Sequence, residues 1–306
     1  MKRLATVFLA AALTAVHAAP AWAWNDAGHM LVAQIAWDNM TPAARANAIR
    51  LLRSAGADTR LVFPLGVGML NPLEQQQQFL HAAIWPDSMR GTGFDIPDRH
   101  FVNIFWRQDH DFSLIQQLPN HPVTGRLLAD LPQLEAAIRN QTGTSAERAI
   151  QLAWIIHLVG DIHQPLHASS RITALEPGGD GGGGSYHLRN QPKLTLHNVW
   201  DRIVSMRVRH LPQEEHDEFA YVRRVATDLE SNFPRTAFPG EISVTDPRQW
   251  AERSVAIAQQ SVYRHPLQRN HVPSVTQYQD PALGIAEPRI ALAGYRLADV
   301  LNGILG

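Results

Sequence analysis

Apolar residues recur every three or four positions along most of this chain, and that period commits it to helices. Leu152, Ile155, Ile156 and Val159 show the pattern within one stretch. Helices are expected over 30–40, 41–54, 73–89, 128–141, 145–163, 214–231, 247–263 and 290–305. Thr41-Pro42 supplies an N-cap followed by proline at the first helical position, and Thr144-Ser145 offers another start. Strands are almost absent from this reading, and the lack of strand–helix alternation argues against a parallel-sheet enzyme. Breaks rich in Gly and Pro fall at 56–68, 91–97 and 177–184. None has the character of a linker between folded units, and no internal repeat is present. The expected fold class is all-α, in one domain.

The first residues are of another kind. Lys2 and Arg3 precede an apolar run from Leu4 to about Ala19, and Ala21-Trp22-Ala23 supplies the small residues a signal peptidase requires. Residues 1–23 are therefore expected to be a cleaved export signal, and the mature chain, 24–306, to be periplasmic or secreted. Cleavage would leave Trp24 at the N-terminus, five positions before His29. A free α-amine can chelate a metal together with its own carbonyl oxygen. No later segment is long enough to span a bilayer, so no stable membrane association is expected. Cys is absent. Any zinc site must then use His, carboxylate and terminal groups. The net charge of −1 argues against a broadly basic nucleic-acid platform. A polyanion would have to be attracted locally.

Spaced His and Asp residues carry the chemistry. His157 and Asp161 are four apart and share a helix face. The segment runs on through Ile162-His163-Gln164-Pro165-Leu166-His167, where Pro165 should end the helix and let His167 turn toward a neighbouring site. His197 and Asp201 repeat the four-residue spacing. Asp87, in Trp85-Pro86-Asp87-Ser88-Met89-Arg90, and His100, in Arg99-His100-Phe101-Val102-Asn103, are further candidates. One His–Asp pair alone is an ordinary helix-surface contact. Two such pairs flanked by Trp and Leu suggest burial, and buried His and Asp in such numbers need a partner with positive charge.

These residues resemble the zinc-dependent single-strand-specific nucleases of fungi and plants, also called 3′-nucleotidases, a family with bacterial members. The segment from His157 to His167 matches H-x-x-x-D-x-H-Q-P-L-H at every fixed position. The chain also carries W-x-x-x-G-H from Trp24, W-x-D-x-x-R from Trp85, Gly179-Asp180 with its glycines, L-H-x-x-W-D from Leu196, and Ala293-Gly294-Tyr295-Arg296-Leu297-Ala298. The resemblance implies the helical fold shared with bacterial zinc-dependent phospholipase C and a single catalytic domain over 24–306. It also implies three zinc ions. One would be held by Asp87, His100, His157 and Asp161, and a second by the amine and carbonyl of Trp24, His29 and the bridging Asp161. The third would take His167, His197 and Asp201. Implied too is hydrolysis of RNA and single-stranded DNA to 5′-phosphorylated products by zinc-activated water, with Asp87, Asp161 and Arg90 catalytic and Arg90 neutralising phosphoryl oxygens. Nucleotides are further substrates, and no protein partner is implied.

Phe101 matches an aromatic residue that stacks on a base in the family, although core packing would equally account for it. Asn103 stands where better-known members have a base-binding aspartate, so base preference is expected to relax or shift. Gly184 stands where relatives often have asparagine, and the 178–184 loop reads more simply as a flexible connection. His163 should face away from the His157–Asp161 pair and make a structural hydrogen bond. His81, His110, His121, His187, His210, His216, His265 and His271 receive no site role, and Gln75 to Gln78 reads as a polar helix face. Two rivals are weighed. A phospholipase C shares the fold but typically pairs His with Glu at the third site. A non-enzymatic zinc-binding protein would not need an arginine beside the metals.

Overall fold

Helix α5 (Ser145–Asp161) owes its start to a capping box: Thr144 accepts from the backbone of Glu147, whose carboxylate accepts in turn from the Thr144 N–H at 2.7 Å. From Leu152 to Asp161 every residue is buried, so α5 is enclosed on all sides rather than amphipathic. The computed structural model describes residues 24–63, 68–108, 115–188, 191–208, 217–263 and 275–306. Helices α2 (Pro42–Leu52), α3 (Pro72–Ser88), α4 (Leu127–Arg139) and α9 (Val275–Leu305) pack against α5. Helix α1 (Asp26–Asn39) lies against α3 and α9 and also meets α6 (Leu196–Val208) and α7 (Glu218–Asn232). Helix α8 (Pro247–Ile257) continues into a π-helical turn, Ala258–Val262. Leu152, Ile155, Ile156, Leu158 and Val159 are fully or almost fully buried, which supplies on the order of 10 kcal/mol of gross burial free energy. No described helix is long and apolar enough to cross a membrane.

The all-α reading holds, and a helix lies in each expected segment. Two boundaries differ in an informative way. The 145–163 helix stops at Asp161. The C-terminal helix begins fifteen residues earlier than the expected Ile290, at Val275, and runs through Pro281 and Pro288. Ala282 and Ala286 are buried in phase with Ile290, so packing against the bundle overrides the proline signals. The expected export signal, and His110, His210, His216, His265 and His271, lie outside the described residues.

Strands are few, as expected, and form two small sheets, of which the first ties together two segments of the site. Strand β1 (Ile104–Gln108) pairs antiparallel with β2 (Ile115–Gln117) and parallel with β3 (Ser169–Ile172), in register Ile104 to Ser169. Strands β4 (His187–Leu188) and β5 (Gln191–Thr195) form the second. These strands are too short to show alternation. The β1–β3 pairing begins where two candidate ligands end: Val102 N donates to His167 O at 2.9 Å, and Ile104 N to Ala168 O at 3.1 Å. The Gln75–Gln78 face needs correction. Gln78 is fully buried, accepting from Phe63 N at 2.9 Å and donating to Leu61 O at 3.0 Å.

Candidate metal centre

Asp161, the last residue of α5, faces three imidazoles. Its Oδ1 lies 3.3 Å from His29 Nε2, and its Oδ2 lies 3.3 Å from both His100 Nδ1 and His157 Nε2. Asp87, near the end of α3, approaches His100 Nδ1 at 3.8 Å and His157 Nε2 at 3.9 Å. On α6 the four-residue spacing sets His197 Nε2 3.4 Å from Asp201 Oδ2, and His167 Nε2 comes within 3.8 Å of Asp201 Oδ1. The ligand atoms therefore form three groups: His29, His157 and Asp161; Asp87, His100 and His157; and His167, His197 and Asp201. Every member is buried. His157 belongs to two groups, and its ring stacks on that of His29 with centroids 3.8 Å apart.

Backbone carbonyls fix the tautomers. Nδ1–H of His157 donates to Ala83 O at 2.7 Å, that of His167 to His100 O at 2.8 Å, and that of His197 to Gly182 O at 2.8 Å. Each ring is left with an Nε2 lone pair directed inward. The Nε2 atoms of His167 and His197 face each other at 3.1 Å, and His157 Nε2 faces His100 Nδ1 at 3.0 Å. For His167 and His197, whose Nδ1 atoms both donate to carbonyls, the facing Nε2 atoms repel unless a proton or a metal lies between them. Asp161 Oδ1 and Asp201 Oδ2, both buried, have no hydrogen-bond donor. Inward acceptors without donors are the signature of a cation site, and imidazole with carboxylate suits a borderline metal such as zinc.

The electrostatics agree. Burial pushes Asp161 upward, but the charge of His157 and the proximity of the His100, His157 and His29 rings outweigh it and hold the carboxyl well below its usual range. Burial, with His157 alongside, drives His29 down to about 4. Burial opposes protonation of His167 too, yet its hydrogen bond to Asp201 and the charge of Asp161 lift it to about 9. Asp201 is raised by burial to about 7. Metal-free, the third group is poised to hold a proton where a metal would go.

Of the remaining expected residues, Trp24 and Arg90 stand against members of these groups or the helix that carries them. Trp24 is fully buried, with its indole N–H donating to Gly160 O at 3.1 Å, and Asn25 N donates to Asp201 O at 2.8 Å. Those bonds bring the start of α1 against both α5 and α6. Arg90 Nη2 donates to Asp87 Oδ1 at 2.7 Å, which places its guanidinium beside the second group. Phe101 is half-buried and stands outside the core cluster, with its carbonyl accepting from Leu127 N at 3.2 Å. Asn103 commits its Nδ2 to Thr124 Oγ1 at 3.0 Å. His163 turns away from the groups: its Nδ1–H donates to Val159 O at 2.7 Å, and its Nε2 accepts from Arg296 at 2.8 Å.

Sequence reasoning missed the supports. Gln164 donates to Asp201 Oδ1 at 2.8 Å and accepts from Leu166 N, so it aims the third group's carboxylate. Its place between His163 and Pro165 was the available signal. The glycine loop is more than a connection. Gly182 has φ +63° and no room for a Cβ beside Leu166 O, and its own carbonyl orients His197. A Cβ on Gly160 would stand 2.9 Å from His29 Nδ1, so glycine there lets α1 close onto α5.

Comparison with known proteins follows the same lines. The S1/P1 Nuclease family model matches residues 24–306. The chain is 28% identical to Endonuclease 4 of Arabidopsis thaliana, over 72% of this chain and 75% of that protein. It is 24% identical to Endonuclease 1 of the same plant, over 92% of this chain and 87% of the relative. Nuclease S1 of Aspergillus oryzae is 27% identical over 55% of this chain and 60% of its own length. The match begins at the tryptophan that packs α1 onto Gly160 and ends with α9, and the chain belongs to the S1/P1 nuclease family of metal-dependent hydrolytic phosphoesterases.

Proposed function

We propose that this nuclease is exported and, with residues 1–23 removed, works as a single domain holding three zinc ions. It hydrolyses RNA and single-stranded DNA to 5′-phosphorylated products and removes phosphate from 3′-nucleotides. The observation that carries the reading is the convergence of buried imidazole nitrogens and carboxylate oxygens into three groups, with Asp161 Oδ1 and Asp201 Oδ2 lacking a hydrogen-bond donor. Asp87, His100, His157 and Asp161 would hold one ion. His29 and Asp161, with the amine and carbonyl of Trp24, would hold the second, and His167, His197 and Asp201 the third. The family match starting at Trp24 supports cleavage there. When bound, the ions supply Lewis acidity toward a phosphoryl oxygen and acidify water.

The chain's own residues set the rest. Three divalent ions against three ligand aspartates leave a local charge of roughly +3, which draws a polyanion to a chain of near-neutral surface. Arg90, steadied by Asp87, adds a fixed positive charge for the phosphoryl oxygens as charge develops in the transition state. Phe101 offers a half-exposed ring for stacking on an unpaired base; a base inside a duplex presents no free face. Asn103 commits one amide N–H to Thr124 and keeps a second N–H and its carbonyl oxygen, so it can offer a base both a donor and an acceptor.

The test is zinc content per chain together with hydrolysis of single-stranded DNA, RNA and a choline phospholipid, on protein beginning at Trp24. About three zincs and chelator-sensitive release of 5′-nucleotides support the reading. Phospholipid cleavage in their place would move the chain to the phospholipase C activity. Bound zinc without turnover of any of the three substrates would leave a zinc-binding protein.

A further inference from the structure

Strand β1 leads away from the metal centre. His100 stands shortly before it and His167 shortly before its parallel neighbour β3, so position along β1 measures distance from the ligand groups. The chain is already extended at Phe101, with φ −143° and ψ 165°. Successive side chains of an extended segment point to opposite faces. Val102, Ile104 and Trp106 pack into or against the main core cluster, whereas Phe101 and Phe105 stand outside it and Arg107 is exposed. Phe101, Asn103, Phe105 and Arg107 therefore share the face turned away from the core, over a length of about 20 Å.

The 121–125 segment borders this face. Asn103 N donates to Thr124 O at 2.7 Å, alongside the side-chain bond between the same two residues. Farther along, the His121 ring rests on Phe105, with centroids 4.2 Å apart and planes 37° apart, and its Nδ1 lies 3.0 Å from Pro122 O. Phe105 is backed in turn by Gly179, where a Cβ would stand 2.8 Å from the phenyl ring. His121 is itself exposed, so a supported imidazole ring is presented to solvent. Beyond it, Arg107 is exposed beside Gln116, its exposed partner in register on β2. No described carboxylate pairs with the Arg107 guanidinium.

We infer that this face is a track for single-stranded nucleic acid, in which His121 stacks on a base beyond the one at Phe101 and Arg107 pairs with a backbone phosphate farther out. The inference rests on the nuclease reading above and extends it from one base to several nucleotides. Ring stacking and a cationic contact to the backbone are sequence-tolerant, so the track adds grip without selecting sequence. Phe105, which carries His121, lies about 13 Å along the strand from Phe101. A single nucleotide seated at Phe101 does not span that distance, and an oligonucleotide does.

The experiment compares a nucleoside 3′-phosphate with single-stranded oligonucleotides of increasing length, on the mature, metal-loaded protein. In the wild type, KM should fall as the oligonucleotide becomes long enough to reach His121 and Arg107, and then level off. His121→Ala should raise KM for a long oligonucleotide about tenfold, and by a larger factor than it raises KM for the 3′-phosphate. Arg107→Gln should make log KM for the oligonucleotide less steep in log salt concentration by about 0.7, the loss of one phosphate contact, and Arg107→Lys should keep the wild-type slope. A KM independent of length, or wild-type values for long oligonucleotides in His121→Ala and Arg107→Gln, would overturn the track and leave the nuclease reading standing. A wild type that turns over neither substrate would remove both.

Discussion

At the scale of single residues, the ligand imidazoles are distinguished by how readily each holds a proton. His29, driven to about 4, is already neutral at pH 7, whereas His167, lifted to about 9, is protonated there in the metal-free protein. A histidine whose folded pKa is raised stabilises the metal-free fold fully below its unfolded value near 6.5, and loses that contribution as pH rises through 9. Zinc entering the third group must expel this proton. Calorimetric titration of metal-free protein at pH 7, in buffers of different ionisation enthalpy, should record proton release that disappears in His167→Ala; a wild-type uptake independent of buffer would contradict the assignment. Phe101 belongs to the same scale. Stacking is worth about 1–3 kcal/mol per base, so Phe101→Ala should raise KM for single-stranded DNA roughly tenfold or more while zinc content stays unchanged. An unchanged KM would return Phe101 to a packing role.

At the scale of elements, the site depends on how closely helices approach. Trp24, His29 and Gly160 meet where α1 crosses α5, and the missing Cβ of Gly160 is what admits the imidazole. Gly160→Ala should act as an overpacking change of about 1–3 kcal/mol, visible in urea unfolding. It should also weaken zinc at the His29 group more than at the His197 group, which chelator competition can separate. Uniform loss from all groups would point to general unfolding instead. The β1–β3 pairing plays the corresponding part for His100 and His167, since the carbonyl of one ligand residue accepts from the ring of the other.

At the scale of the molecule, metal and fold are linked. Buried apolar residues from Trp24 to Leu305 form one cluster, and the three ligand groups are embedded within it. Removing the metals leaves buried carboxylates without their full counter-charge, so chelator should lower the Tm markedly and zinc should restore it. An unchanged Tm after verified metal loss would show that the fold tolerates the emptied groups. On the proposed reading, processing is coupled to the same centre. A protein keeping one extra residue before Trp24 lacks the free amine and should lose one zinc and most activity; full activity in that protein would sink the N-terminal ligand assignment.

Much of this was legible before any coordinates. Helical period exposed the bundle, because side chains three and four apart must share a face. The His–Asp spacings on α5 and α6 announced paired ligands for the same reason. The order of motifs from Trp24 to Arg296 pointed to the family. What the chain alone could not show was which distant segments meet. Short strands carry no period, so β1 and β3, which tie His100 to His167, were invisible. The run of α9 through two prolines was set by burial of Ala282 and Ala286, a tertiary gain that outweighs local propensity. The roles of Gly160, Gly182 and Gln164 are contacts across fifteen residues or more in sequence, from Gly160 to His29, from Gly182 to His197 and from Gln164 to Asp201. Local spacing settles which residues share a face, and only the closed fold settles what that face meets.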